Sequence, residues 1–526
     1  MITAPSILLT VTVNGVSEKF YLTGVSVSYG VNAIPQVLVD LTPAHLNILC
    51  NIEKYRRQPC TLEVKTERGC LNFSGLVDGL SENMVFGHVG LTLVIKSQYQ
   101  SLLETYPKIP GLHPASIGLF QRKDVISTTP ADATFFDRWA IIAGNLPQLA
   151  SPKITHVIQY IVELIKLALS TQNDAKKFTT PGINGSDEII KLIEKIGPDT
   201  ITKSIALLEN VDTSAVIGIM NGADNQNWYR MADELVLQNK SFDNLFELLM
   251  SALSAFGCAL IIANEKAFVV PATGYLKQTH IEVPPKARSN EPNVLYPADY
   301  SSYSMNDSGY RDISACFVLS DTDVVFEFQR NNASLGSYID KDSKGGVLIV
   351  DLPKTISFLV AGLQAKSTET KRNDVSAGAP PFTGLVTKEQ ISTAIETAKL
   401  KVYEEGKAQL KTSMDNWAQL KYLEAKFDDR TGGVTGALNF DLVPGLPITI
   451  YSRRPGGYID GYVTSVTHTI KLNAPDSGVA ETTVNLNGIR VGVIGKETGL
   501  DKVALFDYDI SKARKVAAAF VTDISK

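Results

Sequence analysis

The feature that most limits what this 526-residue chain can fold into is where its hydrophobic period changes. Over residues 6 to about 104, apolar and polar residues alternate, as in Val25-Ser26-Val27-Ser28-Tyr29, Leu62-Glu63-Val64-Lys65 and Leu91-Thr92-Leu93. That is the period of strands with one buried face. Turn signals at Asn14-Gly15, Gly24, Gly30, Gly69, Gly75, Gly79, Gly87 and Gly90 are closely spaced, which favours a small antiparallel barrel or sandwich over βαβ units. A second β-rich region begins near Glu291, runs through 313–319 and 324–328, and resumes over 436–492 after an interruption.

Between these regions the period becomes helical. Ile154, Val157, Ile158, Ile161, Leu164, Ile165 and Ala168 follow Ser151-Pro152 at helix spacing, inside a loop-rich stretch over 105–240. A helical run from Phe242 stops at Gly257 and leads into a hairpin around Asn264-Glu265-Lys266. Residues 366–386 are polar and breaker-rich, as a linker is; 387–427 then carry Ile391, Ile395, Ala398, Val402, Leu410, Met414, Trp417 and Leu420 as one stripe, predicting a long helix weakened at Gly406. The tail, 496–526, predicts a helix with Ala513, Val516, Ala517, Phe520, Val521 and Ile524 on or near one face.

The expected fold is therefore α+β and multidomain. A first small antiparallel β-barrel spans 1–104, a mixed helical insertion 105–240 and a helix plus hairpin 241–285. A second, discontinuous barrel uses 286–365 and 433–495, with linker and long helix at 366–432 between its parts and a helical tail at 496–526.

Composition removes several function classes. Fifty Lys+Arg against 55 Asp+Glu give a net charge of -5, without the cation excess of sequence-reading nucleic-acid binders. Five cysteines without a C-x-x-C pair predict buried free thiols rather than a disulfide framework. Neither a secretory leader nor a transmembrane anchor is expected. The six histidines show no metal-ligand spacing, and no nucleophile elbow, P-loop or dinucleotide fingerprint occurs. No catalytic residue, cofactor or metal is expected.

Two stretches share a strand-turn grammar. Cys60–Lys65 leads to Phe73-Ser74-Gly75-Leu76-Val77, and 446–451 leads to Gly461-Tyr462-Val463 and on to Val466. Gly75 and Gly461 are placed where a strand bends or bulges. The pattern resembles the central hub protein of phage tail baseplates, including the hub half of type VI secretion spike proteins. In that family the second barrel reads as Pro-Gly entering a strand, a G-x-V strand running into Val-x-His, and a closing strand with Arg near its end. The matching residues are Pro444-Gly445, Gly461-Tyr462-Val463, Val466-Thr467-His468 and 483–490 with Arg490; the first barrel matches through Phe73, Gly75 and Val77. The helix and hairpin at 242–270 resemble the piece such hubs carry between barrels. On its own strand, His468 lies between Val466 and Ile470 and reads as a packed, hydrogen-bonded structural residue.

The resemblance implies a homotrimer in the virion tail, assembled in the host cytoplasm. Its two barrels per copy would form a pseudo-sixfold ring joining a hexameric tail tube protein to a trimeric spike protein, with other baseplate subunits on the insertions. Two other readings stand beside it: a hub-associated peptidoglycan hydrolase using 105–241, and a glycan-binding surface-adhesion β protein.

Overall fold

The computed structural model describes residues 5–41, 51–66, 69–85, 88–104, 293–307, 313–319, 336–341, 344–351, 430–453, 456–472, 478–494 and 515–520, with shorter pieces within 206–212, 244–276 and 415–426 and at 507–508. The helix expected near 154–168 lies outside these residues, as do the linker at 366–386 and positions 387–414 of the expected long helix. The described positions between 415 and 426 are helical.

The architecture is mostly antiparallel sheet with few short helices. The N-terminal part supplies β1 (Ser6–Val13), β2 (Val16–Tyr21), β3 (Gly24–Gly30), β4 (Gln36–Leu41), β5 (Pro59–Thr66), β6 (Gly69–Val85) and β7 (His88–Ser97). A middle group follows: β8 (Cys258–Ala263), β9 (Lys266–Pro271), β10 (Tyr275–Leu276), β11 (Val294–Leu295), β12 (Tyr300–Asp307), β13 (Ile313–Leu319), β14 (Gly336–Ile339) and β15 (Gly346–Asp351). The C-terminal part adds β16 (Arg430–Ala437), β17 (Pro447–Tyr451), β18 (Gly457–Lys471), β19 (Val479–Val493) and β20 (Asp507–Tyr508).

Alternation does what the sequence pattern requires. Ile7, Leu9, Val11 and Val13 of β1, Val37 and Val39 of β4, and Cys60, Leu62 and Val64 of β5 point into one core, while the residues between them face outward. Each fully buried aliphatic side chain contributes roughly 1.5–3 kcal/mol before entropy is subtracted. Asn14 and Gly15 both take positive φ, at 51° and 81°, the backbone of a tight hairpin turn between β1 and β2.

The pairings differ from the expected pair of barrels. Thirteen strands form one sheet, ordered β12-β16-β19-β18-β3-β4-β7-β6-β5-β1-β2, with β17 and β11 branching from β18. The two halves meet where β3 pairs antiparallel with the second half of β18, from Gly24↔Lys471 to Gly30↔Ser465. No pairing among the described residues closes either half into a barrel. Two long strands let the sheet fold over itself. β6 pairs β5 through Gly69–Leu76 and β7 through Gly75–Val85, and β18 pairs β17 through Tyr458–Tyr462 and β3 through Ser465–Lys471.

The described strands β13, β14 and β15 pair with one another in a three-stranded sheet, β14-β13-β15, containing a parallel pair, and not with the large sheet; the strand expected at 324–328 lies outside the described residues. The helical residues near 422 lie against it. Tyr422 packs on Tyr338 and donates through its hydroxyl to Asp340 Oδ2 at 2.6 Å, and Lys426 completes the cluster by hydrogen bonding both. Burial, then the Asp340 carboxylate, pushes the Tyr422 phenol up to about 12.

The β8–β9 hairpin docks beneath the junction of the two halves. Asn32 exchanges hydrogen bonds with Leu260 at 2.8 Å, and Tyr462 Oη donates to the Pro271 carbonyl at 2.9 Å. Gly445 makes the close approach possible: its φ is +74°, and a Cβ there would lie 2.7 Å from Ile261 Cγ2 and 3.0 Å from Val270 Cγ2. Gly445→Ala is therefore expected to cost about 2 kcal/mol or more. Gly461→Ala, whose Cβ would meet only ordinary contacts at 3.6 Å and beyond, should cost less than about 1 kcal/mol. Urea denaturation of the two variants checks the order.

Candidate functional site

The region where the halves join gathers some of the residues singled out from sequence, His468 and, through Tyr29, Phe73. His468 sits on β18 between Val27 of β3 and Thr482 of β19, and its side chain is 2% exposed. Its Nδ1 lies 3.0 Å from Thr482 Oγ1, and its ring meets Phe440 edge-on at 5.1 Å and Tyr29 at 6.3 Å. Desolvation pushes its pKa down to about 3, so the imidazole is neutral at any ordinary pH.

Tyr29 extends this cluster in two directions. Phe520 packs edge-on against it at 5.0 Å and Phe73 lies at 6.5 Å. Phe73 and Val77 are fully buried on β6. Gly75 lies between them, where a Cβ would come 2.5 Å from the Lys96 carbonyl oxygen and 2.8 Å from Phe73 Cε1. The irregularity in β6 falls between Val77 and Gly79 rather than at Gly75, so Gly75 is needed for close approach of β7. In β18 register irregularities fall between Asp460 and Tyr462, at Gly461, and between Val463 and Ser465.

The remaining motif residues lie on the C-terminal side. Pro444-Gly445 turns the chain into β17, with the Gly445 amide donating to the Val463 carbonyl at 2.8 Å. Val463 and Val466 belong to a second apolar core with Ile448, Ile450, Ile459, Val484, Leu486 and Ile489. Arg490 lies on the opposite face of its strand from Ile489, directly across from Asp460. Its Nε donates to Asp460 Oδ2 at 3.1 Å, and Thr449 Oγ1 donates to Asp460 Oδ1 at 2.7 Å, so three adjacent strands are tied by one buried ion pair and a hydroxyl. Removing either charge would strand the other in the interior.

Several partners carry no signal of their own in the sequence. Tyr29, Phe440, Thr482 and Asn293 look like ordinary strand or loop residues, yet Asn293, with φ 58°, exchanges side-chain hydrogen bonds with Val443 at 3.1 Å and holds the approach to β17. Asp460 had a readable signal: a carboxylate inside the run Tyr458-Ile459-Asp460-Gly461-Tyr462, which calls for a buried cation.

The chemistry of the site is packing and pairing. Among the described residues no group of three or more His, Cys, Asp and Glu is placed to hold a metal. No helix among them is long and apolar enough to cross a membrane. Cys60, Cys70, Cys258 and Cys316 are buried thiols outside any disulfide, with burial raising each thiol, that of Cys60 to about 12.

The free edges of the large sheet are its exposed reactive features. β2 ends one side with Val16 and Tyr21 exposed, and β12 ends the other with Tyr303 and Met305 exposed. A strand edge bearing apolar side chains is a template for pairing with another chain.

No protein-family model matches the chain, and no curated protein matches it. Among solved structures it is similar to a tail protein from Neisseria meningitidis, with 8% identity and a TM-score of 0.39 over 91% of this chain and 96% of that one. A 43 kDa tail protein of prophage MuSo2 from Shewanella oneidensis overlaps at 8% identity and TM-score 0.39, over 92% and 98% of the two chains. An E. coli component of the type VI secretion system, described as structurally similar to bacteriophage T4 tail proteins, overlaps at 7% identity and TM-score 0.30, over 90% and 73%. At these scores the overlaps carry no argument, and the functional reading rests on this chain's own residues.

His468 supplies a test of the junction. Its pKa is far below the 6.5 of an exposed imidazole, so the unfolded chain binds the extra proton. The stability that neutral His468 contributes is present above pH 6.5 and lost as pH falls toward 3, by roughly 3 kcal/mol at pH 4. The urea midpoint of His468→Gln should fall less than that of the parent between pH 7 and 4; parallel curves would count against a neutral imidazole at the core of the junction.

Proposed function

We propose that the chain is the structural hub of a phage tail or tail-like injection machine. Three copies close into a pseudo-sixfold ring, with a tail tube protein on one side, a trimeric spike protein on the other and further baseplate subunits around them. Its place is the virion tail, after assembly in the host cytoplasm.

The observation that carries this reading is a repeated unit inside one open sheet. β5 leads into the long strand β6 and then β7; β17 leads into the long strand β18 and then β19. Two such units in each copy give six in a trimer, which is how a threefold object can face a sixfold one. The ordered matches from Phe73 to Arg490 support the same assignment. Each unit takes the role expected of a small tube-type barrel once neighbouring copies supply the pairings that one copy lacks.

The free edges support contacts between copies. β12 offers an unpaired side, and β6 runs past β5, leaving its second half paired on the β7 side. The strands from β12 through β16, β19, β18, β3, β4 and β7 to β6 number eight. Three copies would place 24 strands around a ring roughly 40–50 Å across, backbone to backbone.

Light scattering on the purified chain should give a particle of three 57.1 kDa copies, about 171 kDa. The double variant Tyr303→Lys, Met305→Lys puts two charges on the exposed side of β12 and should shift the particle to single copies with an unchanged circular-dichroism spectrum. A parent chain that stays at the mass of one copy, alone and with a candidate spike, would contradict the ring.

A further inference from the structure

The segment at 515–520 is a single turn of chain seated in the join between the two halves. Lys515, Val516 and Ala517 are helical and the next three residues continue as turns, with the Ala519 and Phe520 amides donating to the Val516 and Ala517 carbonyls at 3.1 and 3.0 Å. Two of its side chains point inward: Val516 is 1% exposed and Phe520 4%, while Lys515 and Ala518 face solvent. A spacing of four residues puts both anchors on one side of the turn.

Three separate parts of the chain build the pocket. Phe520 meets Tyr29 edge-on at 5.0 Å, and the apolar cluster it joins contains Phe73 of the N-terminal half, Phe440 of the C-terminal half, and Ile261 and Phe268 of the β8–β9 hairpin. A carboxylate stands at the rim. Lys515 Nζ lies 2.7 Å from Asp212 Oδ2, and the hairpin fixes Asp212 in place: its amide donates to the Ala267 carbonyl at 2.8 Å, and its carbonyl accepts from the Val269 amide at 2.9 Å. Upstream, Asp507 and Tyr508 of β20 pair in parallel with Tyr275 and Leu276 of β10, the strand that follows the hairpin. The hairpin and its neighbour thus guide the segment to its seat.

A helix of one turn has no stability of its own in water, where even about 12–15 residues are marginal. The turn exists because the pocket holds it. Burial of two apolar side chains is opposed by the ordering of six residues of backbone, two effects of similar size, and a partly exposed ion pair adds little. Seating is therefore a local equilibrium of its own, distinct from the strand pairing around it.

We propose that the join of the halves carries a peptide-binding pocket for one amphipathic helical turn, a cation followed by apolar anchors at the next position and four beyond it, and that residues 515–520 are its reversibly seated occupant. Asp212 reads the cation, and the edge of Tyr29 reads the aromatic anchor. Seated, the turn seals the aromatic cluster; released, it opens the pocket while the surrounding strands stay paired. This role is separate from the ring proposed above.

Two measurements test it, and neither needs the ring. In the first, amide hydrogen exchange in the parent chain is compared between a peptide covering 515–520 and those covering 24–30 and 465–471. Reversible seating predicts exchange at 515–520 at least tenfold faster than at the other two, and at least tenfold slower than in the free peptide 511–526. Rates within tenfold of the other two mean that the turn is ordinary core, and rates within tenfold of the free peptide mean that it is not seated; either overturns the proposal. In the second, a fluorescent peptide of residues 511–526 is titrated into the parent chain and the Phe520→Ala chain and followed by anisotropy. The variant, whose own turn has lost an anchor, should bind the peptide at least tenfold more tightly than the parent, whose pocket is filled. Peptides carrying Phe520→Ala or Lys515→Glu should bind the variant at least tenfold more weakly than the parent-sequence peptide does. Equal binding of the parent-sequence peptide by the two chains, or binding by neither, overturns the assignment. Where circular dichroism shows the Phe520→Ala chain unfolded, the exchange comparison on the parent decides alone.

Discussion

Seven cross-strand positions hold this molecule together, those where β3 meets the second half of β18. They join residues far apart in sequence, 439 positions in the Ser28–Thr467 contact. The β8–β9 hairpin is anchored across this seam, by Asn32 on one side and Gly445 and Tyr462 on the other. The segment at 515–520 reaches the same place, with Val516 and Phe520 buried in the core shared by Tyr29 and Phe73. Pairing at such separation costs loop-closure entropy before it returns contacts, so the seam is expected to form late in folding.

The seam also explains why the two faces of the sheet are so unlike. Facing the core, Val25, Val27 and Tyr29 meet Ile470, His468 and Val466, and a neutral imidazole is tolerated because Thr482 satisfies it and aromatic rings surround it. Facing away, Ser26 and Ser28 meet Thr469 and Thr467. A strand with this strict alternation cannot slip by one residue without burying hydroxyls and exposing valines, which fixes the register of the join.

Local features were legible in the sequence because local chemistry decides them. Asn14-Gly15 had to be a tight turn, 258–271 had to be a hairpin, and Pro444-Gly445 had to turn the chain into a strand, since each depends on backbone preferences of neighbouring residues. What alternation cannot say is which strand pairs with which. β3 and β18 both read as Val or Ile alternating with Ser or Thr, and nothing in either marks the other as its partner. The two halves therefore read as two barrels, where the pairings make one sheet. The same limit hides that β13, β14 and β15 pair with one another rather than with the large sheet. Gly75 was legible as a special position, yet its reason is the carbonyl of Lys96 on β7, a neighbour that only the fold supplies.

The most direct test of the single sheet is amide hydrogen exchange, followed by mass spectrometry on peptides covering 24–30 and 465–471. If the seam unites the halves, both peptides will be protected as strongly as β1 and β5 on one side and β17 and β19 on the other, and will lose protection together with them. Fast exchange at both peptides while the flanking strands remain protected would mean that the halves are independent bodies.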